Sequence, residues 1–333
     1  MSCKLAPLVL LVLTLPAAFA AAPRIEARAA GGEGPRAVRQ DDGSLSVVYG
    51  DREESLDLPA RSAVAAIAAV GEGWWAAGTV RDGAGTELWL ARTGEGSRGV
   101  AAPGDRNGAQ RTNPVLLARA SGLSGVAWLE GDAHDRFAVR FAHWNGDTFA
   151  APATIAPPGP GSQLALAGVV LADGKMLLVW AGYDGSDDEI WTAVGDGDGW
   201  SPPARVGGDN AVPDITPAIV ATADGAFVVW SRFDGSEYRL ALARWDGAGF
   251  GSARWLAEPG SLFPSFERPG GALGVLYRDA RSDAWALGEL DPEGRLRRTA
   301  RVAAPNDERP AVALGKDNVI WKFGGRELST DWE

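Results

Sequence analysis

The sequence predicts an all-β fold built from repeated four-stranded units, and three observations lead to this prediction. First, an apolar segment that ends in an aromatic residue and runs into an Asp- and Gly-rich turn recurs along the chain. Second, Asp-Gly and Asn-Gly turns separate short runs of strand-forming residues, which is the strongest local signal for β-hairpins. Third, no segment after residue 20 shows a sustained helical period, and the Ala-rich stretch Ala63–Val70 is interpreted as a strand.

The recurring segment has a regular spacing. Its final aromatic residue returns at intervals of 52, 50, 47 and 44 residues, at Trp128, Trp180, Trp230, Tyr277 and Trp321. Near the N-terminus, Val47-Val48-Tyr49 fits the same pattern and Ala76-Ala77-Gly78 fits it loosely. These matches bring the number of repeats to seven, and a period of about 40–50 residues is typical of arrays of small sheets.

One repeat, residues 217–257, shows how each unit divides into strands. Three Asp-Gly turns separate strands at 217–222, 226–231, 238–245 and 250–256. Four-stranded units of this length indicate a β-propeller, because a single blade cannot bury both of its faces alone and a ring of blades can. We therefore predict a single propeller of seven blades, with six as the alternative, in which 36–58 and 309–330 would share one blade.

Closure of the ring is predicted to involve the N-terminus. Residues 309–330 supply three strands before the chain ends, and Arg24–Ala29 resembles the fourth strands of other repeats. We expect this N-terminal strand to complete the last blade and remove its open edge. The predicted organisation is a signal peptide at 1–20, the closing strand and a linker at 21–35, and the propeller at 36–333.

The first twenty residues predict export. Lys4 precedes an apolar run from Leu5 to Leu15, and Ala18-Phe19-Ala20 matches a small-residue cleavage site. The run is shorter than the roughly 20 residues that a membrane span needs. We therefore expect a soluble protein without a membrane span, exported by a signal peptide to the periplasm or the extracellular space.

Composition and charge exclude several classes of function. The formal net charge is −11, which disfavours a phosphate-backbone partner, so no nucleic-acid partner is expected. A single cysteine excludes an internal disulfide, and two histidines exclude a three-histidine metal centre. The chain also lacks a nucleophile elbow and a P-loop. We expect a monomer whose partner is a glycan or another protein.

The repeat resembles the bacterial neuraminidase repeat of the sialidase-like propeller superfamily. The shared pattern is a Pro, an apolar strand, Asp-Gly, an apolar strand ending in Trp, a second Asp-Gly, a third strand and Gly-Trp or Gly-Phe, across about 36–333. No segment matches the family's Asp box, and the nearest are Ser186–Trp191 and Gly195–Trp200. The resemblance therefore implies the propeller fold, in a degenerate family member without clear Asp boxes. It says little about activity.

The candidate site residues follow the second strands of the predicted blades. Loops on a rigid scaffold are where binding residues concentrate, and in a propeller these turns share one face with the loops that join successive blades. We expect a polar rim of mixed charge there. The predicted ligand-binding residues are Arg81, Asp82, Tyr183, Asp184, Arg232, Arg278 and Asp279.

Sialidase-like hydrolysis or a related lyase reaction is the alternative to simple binding. The resemblance implies three arginines that clamp a substrate carboxylate, a Tyr nucleophile paired with a Glu, and an Asp acid. Arg81, Arg232 and Arg278 could supply the clamp, but no Glu is visibly paired with a Tyr. We therefore assign no catalytic residue and treat enzyme activity as open.

The leading prediction is a non-catalytic binding protein that takes a glycan or protein ligand at the channel mouth or between blades. A third possibility is a scaffold protein of the cell envelope. No cofactor and no metal-binding residue is assigned, although Asp184–Glu189 and Asp196–Gly199 offer oxygen ligands that would suit a structural calcium ion. A turn role for the Asp-Gly pairs explains the same residues without a metal.

Overall fold

The fold is known from a computed structural model that describes residues 24–28, 35–40, 42–59, 61–82, 85–93, 99–101, 109–132, 134, 136–196, 199–303, 308–324 and 326–333. The predicted signal peptide at 1–20 lies outside the described residues. Within them the chain forms seven antiparallel sheets and one 3-10 turn at Pro269–Gly271. No helix in this part of the chain is long and apolar enough to cross a membrane.

Each sheet is one blade, and the blades follow the order of the chain. Blade 1 contains β1 (Arg24–Arg28), β2 (Arg36–Arg39), β3 (Leu45–Tyr49) and β4 (Arg52–Leu56). Blade 2 contains β5 (Ala63–Val70), β6 (Gly73–Asp82), β7 (Gly85–Arg92) and β8 (Gly99–Ala101). Blade 3 contains β9 (Gln110–Arg119), β10 (Gly122–Gly131), β11 (Phe137–His143) and β12 (Ala153–Ala156).

The remaining blades repeat this plan. Blade 4 contains β13 (Gln163–Val170), β14 (Met176–Tyr183), β15 (Asp188–Gly195) and β16 (Ala204–Arg205). Blade 5 contains β17 (Asp214–Thr222), β18 (Gly225–Phe233), β19 (Tyr238–Trp245) and β20 (Arg254–Trp255). Blade 6 contains β21 (Ser261–Glu267), β22 (Gly274–Asp279), β23 (Ala284–Leu290) and β24 (Leu296–Ala303), and blade 7 contains β25 (Ala311–Leu314), β26 (Asn318–Phe323) and β27 (Arg326–Asp331).

The first strands of successive blades lie next to one another around the axis. β5, β9, β13, β17 and β21 contact their neighbours in this order, and β1 contacts β5. The other strands of each blade follow outward in sequence, paired antiparallel. This arrangement is a seven-bladed β-propeller, so the prediction of an all-β propeller with seven blades is confirmed.

Apolar packing joins the blades. Hydrophobic clusters of buried residues cover each of the six junctions from blade 1 to blade 7. Alternate side chains of one second strand enter different junctions: in β14, Trp180 packs towards blade 3 and Val179 towards blade 5. A blade that buries both faces in this way produces the nearly continuous apolar runs of the sequence.

The recurring aromatic residue fills the junction with the preceding blade. Trp128 packs in the cluster shared with blade 2, Trp230 in the cluster shared with blade 4, and Trp321 in the cluster shared with blade 6. All three are 0% exposed. Side chains of this size bury 150–250 Å² each, so the aromatic position contributes a large part of the apolar burial at each junction.

A two-residue bulge in the first strand faces the aromatic residue in blades 3 to 6. In β17, Ile215 pairs with Ser231 and Ala218 with Val229, so Thr216 and Pro217 lie opposite Trp230 without ladder partners. The same interruption occurs in β9, β13 and β21. The first bulge residue is left-handed in all four strands: Asn113 (φ 51°), Ala165 (φ 49°), Thr216 (φ 54°) and Phe263 (φ 53°).

The N-terminal strand does not close the last blade as predicted. β1 pairs with β2 through Arg24–Arg39 and Ile25–Val38, and it is the innermost strand of blade 1. In the part of the chain that the structure describes, blade 7 has three strands. The physical reason is that β2, β3 and β4 need an inner strand, and the adjacent β1 can supply it as a local antiparallel pair. Consequently β3, which ends at Tyr49, is the third strand of its blade and not the second.

We expect Ala165→Gly to stabilise the protein by about 0.5–1 kcal/mol. The left-handed conformation costs an L-residue about 1–2 kcal/mol, and glycine avoids this cost. Glycine also has greater conformational entropy in the unfolded chain, which offsets about 0.5–1 kcal/mol of the gain. Urea unfolding measures the difference. Ala167→Gly, in the regular part of the same strand, is the control and should lose about 0.5–1 kcal/mol; equal losses from both variants would contradict the strained bulge.

Candidate functional site

The turns after the second strands and the loops that enter the first strands lie on one face. Gln163, which begins β13, pairs with Gly182 near the end of β14, and Asp214, which begins β17, pairs with Arg232 near the end of β18. We call this the upper face. All seven predicted ligand-binding residues lie on it, in four different blades.

Within the upper face the structure separates the predicted residues. Arg81 is exposed at the end of β6, and Asp82 ends the same strand with its side chain outside the described residues. In blade 6, Arg278 pairs with Asp283, and Asp279 accepts bonds from the Ser282 backbone N–H and hydroxyl. Asp184 and Arg232, by contrast, belong to one charged region at the junction of blades 4 and 5.

Asp184 has a structural role in its turn. Its Oδ1 accepts backbone N–H bonds from Ser186 at 2.8 Å and Asp187 at 3.2 Å. These bonds lower the pKa of Asp184, and the Arg205 guanidinium acts in the same direction. Asp234 caps the equivalent turn of blade 5, where bonds from Glu237 and Ser236 lower its pKa to about 2. Gly185 (φ +113°) and Gly235 (φ +99°) supply the backbone conformation of these turns.

Arg232 is held by a buried carboxylate. Its Nε and Nη2 donate to the two oxygens of Asp214 at 2.8 and 2.6 Å, a bidentate pair. Asp214 is 0% exposed, and the guanidinium also lies over the Trp230 ring, 5.4 Å from its centroid. Because a buried charge that loses its partner is costly, Arg232 is fixed as a structural cation.

Three carboxylates of blade 4 approach one another beside this pair. One oxygen each of Asp184, Asp187 and Glu189 lies within 4.8 Å of the other two, and we call these residues the acidic cluster. Glu189 is fully buried and accepts bonds from the backbone N–H and the side-chain amide of Asn210 at 3.0–3.2 Å. Burial, together with the charges of Asp214 and Asp187, raises the pKa of Glu189 to about 7.

Asp187 is the member without hydrogen-bonding partners. Each of its carboxylate oxygens exposes less than 1 Å², and neither accepts a hydrogen bond. Desolvation raises its pKa, and the nearby charges of Asp184, Asp214 and Asp209 raise it further. The guanidinium of Arg205 is already shared between Asp184 at 2.5 Å and Asp209 at 2.8 Å.

A second feature of the upper face is the channel mouth, which we define by Leu164 on β13 and Phe263 on β21. Phe263 is 55% exposed and Leu164 45% exposed on these innermost strands. Phe263 is also one of the left-handed bulge residues, and its backbone N–H donates to the Ser231 hydroxyl of the neighbouring blade at 3.2 Å. An exposed aromatic ring on a strained backbone is a feature that folding alone does not favour.

Sequence reasoning missed several residues of this region. Glu189, Arg205 and Asp214 are not in the predicted set, because that set covers only the ends of second strands and the turns after them, and these three residues lie on a third, a fourth and a first strand. The available signal is weak: Glu189 is the second of two acidic residues that begin the third strand, two positions before Trp191. Tyr183 was predicted, and it lies 39% exposed at the end of β14 with its hydroxyl donating to the Gly185 carbonyl.

Comparisons with known proteins support the fold. No protein-family model and no curated protein matches the sequence. A Dyadobacter fermentans protein of unknown function is similar in structure, with a TM-score of 0.53, 13% identity, and coverage of 83% of this chain and 96% of that one. A puromycin-hydrolyzing peptidase from Mycobacterium tuberculosis has a TM-score of 0.60 and 16% identity over 93% of this chain and 51% of the peptidase. The chain therefore spans about half the length of that peptidase.

A sialidase from Trypanosoma rangeli is also similar, with a TM-score of 0.45 and 12% identity over 85% of this chain and 54% of the sialidase. Identities this low show the fold alone. The chemistry of the site must therefore be argued from its own residues.

Asp214→Ala should destabilise the protein by about 3–5 kcal/mol, because it leaves the Arg232 charge unpaired between two blades. Denaturant unfolding measures the change. The control is Glu293→Ala, which removes one partner of Arg295; the Glu293 and Arg295 side chains are 60% and 67% exposed, so its loss should cost no more than about 1 kcal/mol. Similar costs for the two variants would show that the Asp214–Arg232 pair is not buried.

The raised pKa of Glu189 predicts a specific pH dependence of stability. The folded protein holds the Glu189 proton more tightly than the unfolded chain, so this contribution is fully present below about pH 4.5 and is lost as pH rises through about 7. The stability of wild type relative to Glu189→Gln should therefore fall across this interval. A constant difference between the two unfolding free energies from pH 4.5 to 8 would contradict the prediction.

Proposed function

We propose that the chain is an exported binding protein that takes a glycan at the channel mouth and performs no chemistry on it. The observation that carries the proposal is the exposed ring of Phe263 on the innermost strand of blade 6. Small-molecule sites combine apolar surface with a few placed polar groups. A sugar presents both an apolar face and a rim of hydroxyls, so an aromatic ring beside acceptor groups suits it.

Polar groups of the right kind lie on the same face. Asp209 is 67% exposed in the loop that leads to β17, and carboxylates accept hydrogen bonds from hydroxyl groups. Tyr183 adds a half-exposed aromatic ring at the end of β14. The net charge of −11 disfavours polyanionic ligands, which leaves neutral or cationic glycans as the preferred class.

The contacts of the candidate catalytic residues argue against the sialidase-like alternative. A carboxylate clamp needs arginines that can turn towards a substrate, whereas Arg232 is bidentate to a buried Asp214 and Arg278 pairs with Asp283. The Tyr183 hydroxyl donates to the Gly185 carbonyl and not to a Glu that could activate it. These contacts give each group a partner in the fold and support binding without hydrolysis.

Phe263→Ala should weaken glycan binding by about tenfold or more, since the loss of roughly 1.4 kcal/mol of ring contact corresponds to that factor. The measurement is a glycan array followed by titration of the best ligand. Trp255→Ala is the matched control, because Trp255 is a comparably exposed aromatic residue (42%) on β20, the outermost strand of blade 5. It should leave the affinity unchanged.

Three results would overturn the proposal. One is a silent array for the wild-type protein. Another is an equal loss of affinity in both variants, which would place the ligand elsewhere. The third is hydrolysis of a fluorogenic sialoside by the wild-type protein, which would favour the sialidase-like alternative.

A further inference from the structure

The first strands of blades 4 to 6 reverse the usual pattern of burial at their upper ends. Each of these strands begins with a buried polar residue, and these residues are Gln163, Asp214 and Ser261. The next residue along each strand is apolar and reaches solvent, and these residues are Leu164, Ile215 and Leu262. A buried polar side chain beside an exposed large apolar one is an informative departure from ordinary burial, so each half of the pattern needs its own explanation.

Contacts within the fold explain the buried polar half. Gln163 accepts the indole N–H of Trp180 at 2.7 Å, and the Ser261 hydroxyl donates to the Glu258 carbonyl at 2.6 Å. Asp214 holds the Arg232 guanidinium. Because successive side chains of a strand point to opposite sides, these contacts also fix the orientation of the residue that follows.

The fold does not explain why the exposed position is apolar. In blade 3 the first strand has the same bulge, and the residue at the equivalent position is Thr112, which is exposed and polar. Exposure of this position therefore belongs to the repeat, whereas its apolar character belongs to blades 4 to 6 alone among these four blades. A hydroxyl would satisfy the geometry equally well, so the apolar side chains call for a different reason.

The exposed apolar residues follow one another around the axis. β17 contacts both β13 and β21, so the three strands that carry them are neighbours. Ile215 pairs with Ser231, and the Ser231 hydroxyl accepts the backbone N–H of Phe263. We call the four side chains of this region the apolar arc, and they are Leu164, Ile215, Leu262 and Phe263. Neighbouring exposed apolar side chains of this kind mark a surface that binds a ligand or a partner.

The position of the apolar arc selects the kind of group that covers it. Its residues belong to the innermost strands, which surround the central channel of a propeller. A narrow alkyl or aryl group can lie along such strands, whereas a flat protein surface meets the loops of the upper face first. The arc itself contains no charged residue, and the nearby Asp214 and Arg232 neutralise each other. The group that fits is therefore narrow, apolar and uncharged.

We propose that the glycan bound at the channel mouth carries an alkyl or aryl substituent, and that the apolar arc binds this substituent. Phe263 would contact both parts of the ligand, while Leu164 and Ile215 would contact the substituent alone. Leu164 and Ile215 are then specificity-determining residues, because they favour substituted glycans over plain ones. The inference rests on the proposed glycan function and adds the chemical class of the ligand.

The test compares two ligands that differ only in the substituent. Methyl and octyl β-glycosides of glucose, galactose and N-acetylglucosamine are titrated into the full chain, below the concentrations at which they form micelles. Each CH₂ group that the protein buries should strengthen binding about fourfold, so three buried groups should favour the octyl form about fiftyfold. Equal affinities for the methyl and octyl forms of the sugar that binds best would overturn the inference.

Variants of the apolar arc test which residues bind the substituent. Leu164→Ser should weaken binding of the octyl glycoside about tenfold, the effect of losing about two such CH₂ contacts, and leave that of the methyl glycoside unchanged. Ile215→Thr keeps the β-branch and should act in the same direction. Trp255→Ala, on the outermost strand of blade 5, is the control and should change neither affinity. Wild-type affinity for the octyl glycoside in both arc variants would overturn the assignment.

A probe without a sugar separates failure of this inference from failure of the proposed function. N-phenyl-1-naphthylamine, an uncharged dye that fluoresces in apolar surroundings, should bind the wild-type protein and be displaced by the octyl glycoside at lower concentrations than by octan-1-ol. Displacement by octan-1-ol at equal or lower concentrations would show that the sugar contributes nothing, which overturns the glycan function and the sugar part of this inference. Binding of methyl glycosides without any dye binding would overturn the apolar arc alone.

Discussion

The packing of one large aromatic side chain against the preceding blade is the constraint on which the rest of this propeller depends. Trp128, Trp180 and Trp230 are fully buried in these junctions, and each lies opposite a two-residue bulge in its own first strand. The bulge interrupts the ladder and places a residue other than glycine in the left-handed region at four positions. This strain costs about 1–2 kcal/mol at each position, which is less than the free energy gained when a Trp side chain buries its large apolar area.

One of these left-handed residues, Phe263, lies at the channel mouth. Phe263 occupies the bulge position opposite Tyr277, and its side chain is 55% exposed there. At the equivalent positions the side chains satisfy the fold: the Asn113 amide donates to the Leu166 carbonyl, and the Thr216 hydroxyl contacts the Ser231 hydroxyl. The bulge position therefore carries an exposed side chain in blade 6 and makes hydrogen bonds within the fold in blades 3 and 5.

Electrostatics organise the upper face by local pairing. Turn carboxylates such as Asp184 and Asp234 accept hydrogen bonds from backbone N–H groups of the same turn. Arg232 pairs with a carboxylate of its own blade, and Arg281 pairs with a carboxylate of the neighbouring blade. Asp187 departs from this rule because its carboxylate is shielded from solvent and has no donor. The departure distinguishes the junction of blades 4 and 5 from the junction of blades 5 and 6, although the two turns have nearly the same sequence.

The sequence by itself determined the propeller class and the positions of most strands, and it favoured seven blades over six, because aromatic residues and Asp-Gly turns are local signals that repeat with the fold. It also placed Tyr183, Asp184 and Arg232 on the upper face. Only the tertiary structure decided that β1 belongs to blade 1, since an isolated strand carries no record of its partner. The tertiary structure alone also showed that Arg232 is held by Asp214 and that Glu189 approaches Asp187. Pairing and burial depend on which side chains different strands and turns bring together, and the distances between those side chains cannot be derived from composition or from spacing along the chain.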